Sequence, residues 1–152
     1  MKNSNVKNLI GEIQLNYKRH ETAEIIKVTS SRDVNDCIRK FFPLEQINHR
    51  EHMYALYLNN SNKITGYYLL SIGGITGTLV DIRVTFQAAL LSNAVAMILV
   101  HNHPSGTLKP SSADKAITRK VANAGEMLDI KLLDHLIITE DSYYSFADEN
   151  DL

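Results

Sequence analysis

The sequence predicts an α/β protein in which helices pack against the faces of a sheet. Apolar runs of strand length alternate with segments of helical periodicity along its 152 residues. Residues 94–100 form a continuous apolar run. It is far too short to span a membrane and suits a central strand buried on both faces. The composition, 44% hydrophobic and 22% charged, is that of a globular protein rather than a disordered or fibrous one. The length suits one domain able to bury a core without staples.

Taken in order, residues 1–22 are mixed and polar with weak helical periodicity at most, and residues 25–28 read as a short strand. A helix starts at Ser30 or Ser31 and runs to about Phe42, with Val34, Cys37, Ile38 and Phe41 on one face, and Pro43 ends it. Residues 52–58 are apolar on both faces, residues 59–62 make a turn, and residues 64–72 return as the second arm of a hairpin. Gly73, Gly74 and Gly77 mark a loop or bulge, with a third strand near residues 78–81. A helix over 83–92 carries Ile82, Phe86, Ala89 and Leu90 on one side, and Asn93 suits its C-terminal cap. After the apolar run, residues 101–112 read as a loop. A helix over 112–128 turns Ile117, Val121, Ala124 and Leu128 inward. Strands at 132–139 and 143–147 follow.

Sixteen Lys and Arg residues face seventeen Asp and Glu residues. That balance does not support a nucleic-acid partner, which calls for a basic excess. Lys115, Arg119 and Lys120 share a helix and read as a solvated face. The single cysteine, Cys37, cannot form an internal disulfide and reads as a small buried hydrophobe. Residues 1–15 show no signal-like pattern and no run is long enough for a membrane span, so a cytoplasmic protein without a membrane partner is expected.

Chemistry concentrates at His101-Asn102-His103-Pro104, where the buried strand ends. In extended backbone, residues i and i+2 point the same way, so both imidazoles face one pocket. The loop then leads to Ser111-Ser112-Ala113-Asp114 at the start of a helix. Two imidazoles and a carboxylate are a ligand set that suits zinc and leaves a fourth position for water, whose pKa the ion lowers towards neutrality. Bland readings stand beside this one. Ser-x-x-Asp before a helix is a capping box in its own right, and a His-x-His pair alone carries little. The letters His-Asn-His do not describe an HNH nuclease, whose residues are spread over a ββα fold.

The stretch HNHPSGTLKPSSAD, residues 101–114, resembles the JAMM (MPN+) metallopeptidases and specifically their RadC-like branch. In that pattern, Ser-x-x-Asp begins ten residues after the first histidine of His-x-His-Pro, with a glutamate upstream. The similarity extends through Arg50-Glu51, the helix around residues 83–90, DHLIIT at 134–139 and YYSF at 143–146. It spans about residues 50–147. This divides the chain into a lead-in of residues 1–49, packed on the same domain, and a RadC-like JAMM domain of residues 50–152.

The resemblance implies a curved mixed sheet with helices on both faces, as in JAMM and cytidine-deaminase-like proteins. It implies Zn2+ held by His101, His103 and Asp114, and hydrolysis of a peptide or isopeptide bond. Glu51 is implied as the acid/base residue and Ser111 as donor to the developing oxyanion, chemistry those side chains can perform. Read without the resemblance, Glu51 is a surface acid before a strand, with Glu45 and Glu126 as competitors. His49 and His52 read as exposed or strand-edge, and His135, at a strand start, as structural or supporting the site. The longer family form carries a helix-hairpin-helix region that residues 1–49 do not match, which weakens DNA binding. The competing functions are a non-catalytic interaction module or DNA-metabolism accessory protein on the same scaffold. A zinc deaminase would need a Cys-x-x-Cys pair that the sequence lacks. The polypeptide substrate and the oligomeric state are not readable.

Overall fold

The computed structural model describes residues 11–19, 25–73 and 79–152. Among them, a five-stranded sheet lies between helices on both faces, as expected. In chain order the elements are α1 (Ser31–Ile38), β1 (His52–Leu58), β2 (Ile64–Ile72), α2 (Ile82–Leu91), β3 (Ala96–Asn102), α3 (Ser112–Met127), β4 (Lys131–Ile138) and β5 (Tyr143–Ser145). The strand order is β2-β1-β3-β4-β5. β3 and β4 pair in parallel and the other neighbours are antiparallel, so the sheet is mixed. The parallel pair is joined by α3, the crossover such a pair requires.

Every residue of β1 and β3 is buried, because alternate side chains meet different layers. Tyr54, Leu56, Leu58, Ile98 and Val100 join Val34 and Ile38 of α1 in one core. Met53, Ala55, Tyr57, Met97 and Leu99 join Phe86 and Ala89 of α2 and Val121 of α3 in the other. His101 continues the odd-numbered side of β3, towards α2 and α3. Asn102 continues the even-numbered side, towards α1.

Several boundaries differ from the sequence reading. The helix expected to reach Phe42 ends at Ile38. Beyond it the bonds tighten to i+3 at Lys40 and Phe41, since Pro43 drives the residue before it away from helical geometry. Residues 25–28 contribute only a single bridge, Lys27 to Lys63. Gly74, Gly77 and Thr78 lie outside the described residues. Leu79 and Val80 are not strand, and Asp81 caps α2 by accepting from the Arg83 N–H. Ser92 caps the C-terminus of α2, and Asn93 follows it in the left-handed region at φ 52°. Leu90 and Leu128 are exposed rather than inward. The face that α3 turns inward is Asp114, Thr118, Val121 and Gly125. No described helix is long and apolar enough to cross a membrane.

Candidate metal centre

β3 does not end where its apolar run ends. His101 pairs with Met53 on one side and Ile137 on the other, and Asn102 pairs with Ile138. The His103 N–H donates to the Ile138 carbonyl at 3.1 Å, which prolongs the extended backbone. That geometry turns both imidazoles the same way, and their Nε2 atoms come within 2.9 Å. Asp114, in the first turn of α3, meets them: Oδ1 lies 3.1 Å from His101 Nε2 and Oδ2 3.3 Å from His103 Nε2. These three residues could hold a metal ion, their ligand atoms lying within 4.8 Å of one another.

The capping box is also present. Ser111 Oγ accepts from the Asp114 N–H at 3.1 Å, and Asp114 Oδ2 accepts from the Ser111 N–H at 2.6 Å. The two readings of Ser-x-x-Asp are therefore not alternatives. The cap fixes the rotamer that presents the carboxylate to the histidines. Among the described residues the Ser111 hydroxyl donates no hydrogen bond, and Ser111 lines the cleft in front of the triad.

The neighbours of the two rings favour one tautomer of each. The Thr118 hydroxyl has one proton and spends it on the Asp114 carbonyl at 2.6 Å. His135 Nδ1, 2.7 Å from Thr118 Oγ1, must then be the donor in that contact. This leaves His135 Nε2 as acceptor for His101 Nδ1–H at 2.8 Å. His103 Nδ1–H donates to the Thr107 carbonyl at 2.7 Å. In the neutral rings both Nε2 lone pairs face inward, and two lone pairs at 2.9 Å repel unless a proton or a cation lies between them. A set of two imidazole nitrogens and a carboxylate, each oriented by an outer partner, could hold a divalent metal ion.

His135 thus supports the site. It stands in the middle of β4 rather than at a strand start, fully buried and stacked on Phe146 with ring centres 4.8 Å apart. Burial, aided by the charge of His101, pushes its pKa well below 6.5, so it stays neutral. At Asp114 burial works upward, but the His101 and His103 rings, which donate to it from Nε2 when protonated, and the Ser111 N–H outweigh burial and hold the carboxyl well below the usual range. Burial lowers the His103 pKa, yet the Asp114 carboxylate and the Thr107 carbonyl leave it raised overall.

Glu51 immediately precedes β1. The antiparallel register that pairs Met53 with His101, continued two residues, sets Glu51 opposite His103. It shares with His103, Ser111 and Asp114 a cleft of about 670 Å³ whose apolar wall includes Met53, Val80 and Ile117. Desolvation raises its pKa; His101 opposes this and Asp114 reinforces it. Glu45 and Glu126 are exposed and do not line this cleft. His49 is exposed, as expected. His52 is not: it is buried on the other side of the sheet, against Phe42 and Tyr54. Sequence reasoning missed Asn102, Thr107 and Thr118. The one local signal was the position of Thr118, four residues after Asp114 on the same helix face.

The RadC-like JAB domain profile matches residues 28–151. The chain belongs to that family. A UPF0758 protein of Flavobacterium johnsoniae is 47% identical over 138 residues, covering 91% of this chain and 59% of the relative. One from Chlorobaculum tepidum is 40% identical over 123 residues, covering 81% and 54%. One from Streptococcus gordonii is 44% identical over 110 residues, covering 71% and 49%. These names assign no activity. This RadC-like chain spans about half to three fifths of the length of the curated relatives it matches.

Proposed function

We propose that this RadC-like domain is a zinc-dependent hydrolase of peptide or isopeptide bonds. The observation that carries the reading is the placement of a desolvated glutamate, Glu51, in the same cleft as the His101, His103 and Asp114 set. Those three residues would hold the ion. A bound zinc ion supplies Lewis acidity and lowers the pKa of water at its open position. The choice of zinc rests on the nitrogen and oxygen donor set and on the resemblance of residues 101–114 to the JAMM pattern.

The chain's own residues supply the remaining chemistry. The Glu51 carboxylate takes a proton from the attacking water and returns it to the departing nitrogen. Its raised pKa brings it closer to the pH at which both transfers run. The Ser111 hydroxyl, held by the α3 cap with its proton unspent, donates to the oxygen on which charge develops. Apolar Met53, Val80 and Ile117 border these groups and favour a poorly hydrated contact with substrate. The test is metal analysis of wild type beside His103→Ala, followed by a peptide screen with zinc-loaded wild type and Glu51→Gln. One zinc per chain and hydrolysis that is lost in Glu51→Gln with zinc retained support the reading. A zinc-loaded wild type that hydrolyses nothing would favour an interaction module on the same scaffold.

A further inference from the structure

We propose that Asn102, the residue between the two histidines, is the positioning residue that holds Glu51 against the metal centre. The inference rests on the reading of Glu51 as the acid/base group. Strand alternation turns the Asn102 side chain away from the triad and towards α1, where it is fully buried. It is nevertheless engaged at three points. Its Nδ2 donates to the Ile47 carbonyl at 2.8 Å and to the Arg50 carbonyl at 2.8 Å. Its Oδ1 accepts the His52 N–H at 2.7 Å. The orientation of the amide is fixed, because two carbonyls demand the NH2 and an N–H demands the oxygen.

Arg50 and His52 flank Glu51, so the clamp grips the backbone on both sides of the glutamate. The Gly73 N–H donates to the Glu51 carbonyl at 2.8 Å from the opposite strand. The segment between Pro43 and β1 is a 3-10 turn followed by a further turn and a bend, and its own backbone bonds stop at the Arg50 N–H, which donates to the Gln46 carbonyl at 3.2 Å, one residue short of Glu51. A primary amide is the side chain of this size that offers two donors and an acceptor together. Aspartate in its place would set a carboxylate against two carbonyls. Alanine would leave the Ile47 carbonyl and the His52 N–H without this partner, and the Arg50 carbonyl with only His52 Nδ1 at 3.0 Å. The tripeptide His101-Asn102-His103 therefore sends two ligands to one face of the sheet and ties the glutamate down from the other.

The experiment compares wild type, Asn102→Ala, Asn102→Thr, Glu51→Gln, the Asn102→Ala, Glu51→Gln double variant and His103→Ala, using cobalt(II) alone as the metal probe. The proposal expects Asn102→Ala to bind cobalt within about threefold of wild type, because Asn102 touches no ligand atom. Amide exchange at His52 and across residues 47–52 should accelerate at least about tenfold, with the strands unchanged. The visible spectrum of cobalt-loaded Asn102→Ala should reproduce that of Glu51→Gln, and the double variant should add no further change. Asn102→Thr supplies one hydroxyl in place of the amide and suits a strand, so it should fall between wild type and Asn102→Ala and provides a folded comparison. Unchanged exchange at His52 overturns the proposal, as does loss of cobalt affinity parallel to that of His103→Ala. A cobalt spectrum indifferent to Glu51→Gln overturns it as well. A wild type that binds cobalt but cleaves no peptide overturns the hydrolase reading instead, while the exchange and spectral comparison still decide the role of Asn102.

Discussion

Thr118→Val removes one hydroxyl from the chain of hydrogen bonds that sets the His101 tautomer, at nearly constant volume. With the Thr118 proton on the Asp114 carbonyl, Thr118 Oγ1 accepts from His135 Nδ1, and His135 Nε2 accepts from His101 Nδ1. Without the hydroxyl, His135 Nδ1–H is buried without an acceptor, which costs about 1–3 kcal/mol. The metal-free protein can escape that cost by moving the proton. His135 then protonates Nε2, His101 Nδ1 becomes the acceptor, and His101 carries its proton on Nε2, where Asp114 Oδ1 at 3.1 Å receives it. The zinc-loaded protein cannot escape, since His101 Nε2 must be free to ligate. The penalty therefore falls on binding, and zinc affinity should drop by about five- to 150-fold, from 1.4 kcal/mol per tenfold. Competition with a chromophoric chelator measures it, and Thr118→Ser, which keeps the hydroxyl, should bind nearly as wild type. Nitrogen NMR of the imidazoles should show the His101 proton on Nε2 in metal-free Thr118→Val at a pH where the ring is neutral. Equal zinc affinities for the valine and serine variants would refute the tautomer argument.

Other outcomes follow from the same geometry. Asp114→Asn should abolish zinc binding while changing stability by no more than about 1 kcal/mol, because the amide oxygen can still accept from the Ser111 N–H; metal analysis and urea unfolding separate the two effects. Ser111→Ala should cost about 1 kcal/mol of stability through the lost cap and lower kcat about tenfold or more with zinc retained, checked by unfolding and by turnover of any peptide the screen supplies. Gly125→Ala should destabilise by about 1–3 kcal/mol despite the better helix propensity, because the new Cβ would meet the Ile130 carbonyl, a backbone group that cannot swing away; thermal unfolding reads this. The metal-free protein should be most stable near pH 6.5. The raised His103 pKa contributes stability that is full below 6.5 and lost as pH climbs through its folded value. The depressed His135 pKa contributes stability present above 6.5 and lost as pH falls below it, where the unfolded chain takes a proton the folded one refuses. Urea unfolding across pH should show this maximum. Zinc should remove the alkaline loss, because the bound His103 has already given up its second proton.

The parts of this fold that were legible are those written in contiguous residues. β1 and β3 declared themselves by apolar runs with no polar face, and both are buried on both sides. His101 and His103 needed only the strand period to be aimed together. Asp114 was ambiguous in the sequence because its neighbours spell a cap, and the structure shows one carboxylate that closes the cap and also lies 3.1 Å from His101 Nε2. What stayed hidden depends on partners distant in sequence. The contacts of His135 with Thr118 and His101 span 17 and 34 residues, and the grip of Asn102 on the start of β1 spans about 50. No local pattern announces such pairings. Leu128 was misplaced because the helical period was carried past the last turn, where the chain has already left the core. His52 was misread because a histidine between two charged residues and an apolar strand gives no hint that Phe42 and Tyr54 will close over it.

The position of the triad within the chain has a last consequence. The three metal-facing side chains, and the threonine and histidine that set one of the rings, all lie between residues 101 and 135, in a single strand-helix-strand unit. Glu51 comes from the hairpin that precedes it. On the proposed reading, capture of the ion and use of the ion are written in different stretches of the polypeptide, joined by the hydrogen bonds of Asn102. Variation in one stretch can silence turnover while leaving the other intact, so in this architecture a bound ion is no certificate of a working enzyme.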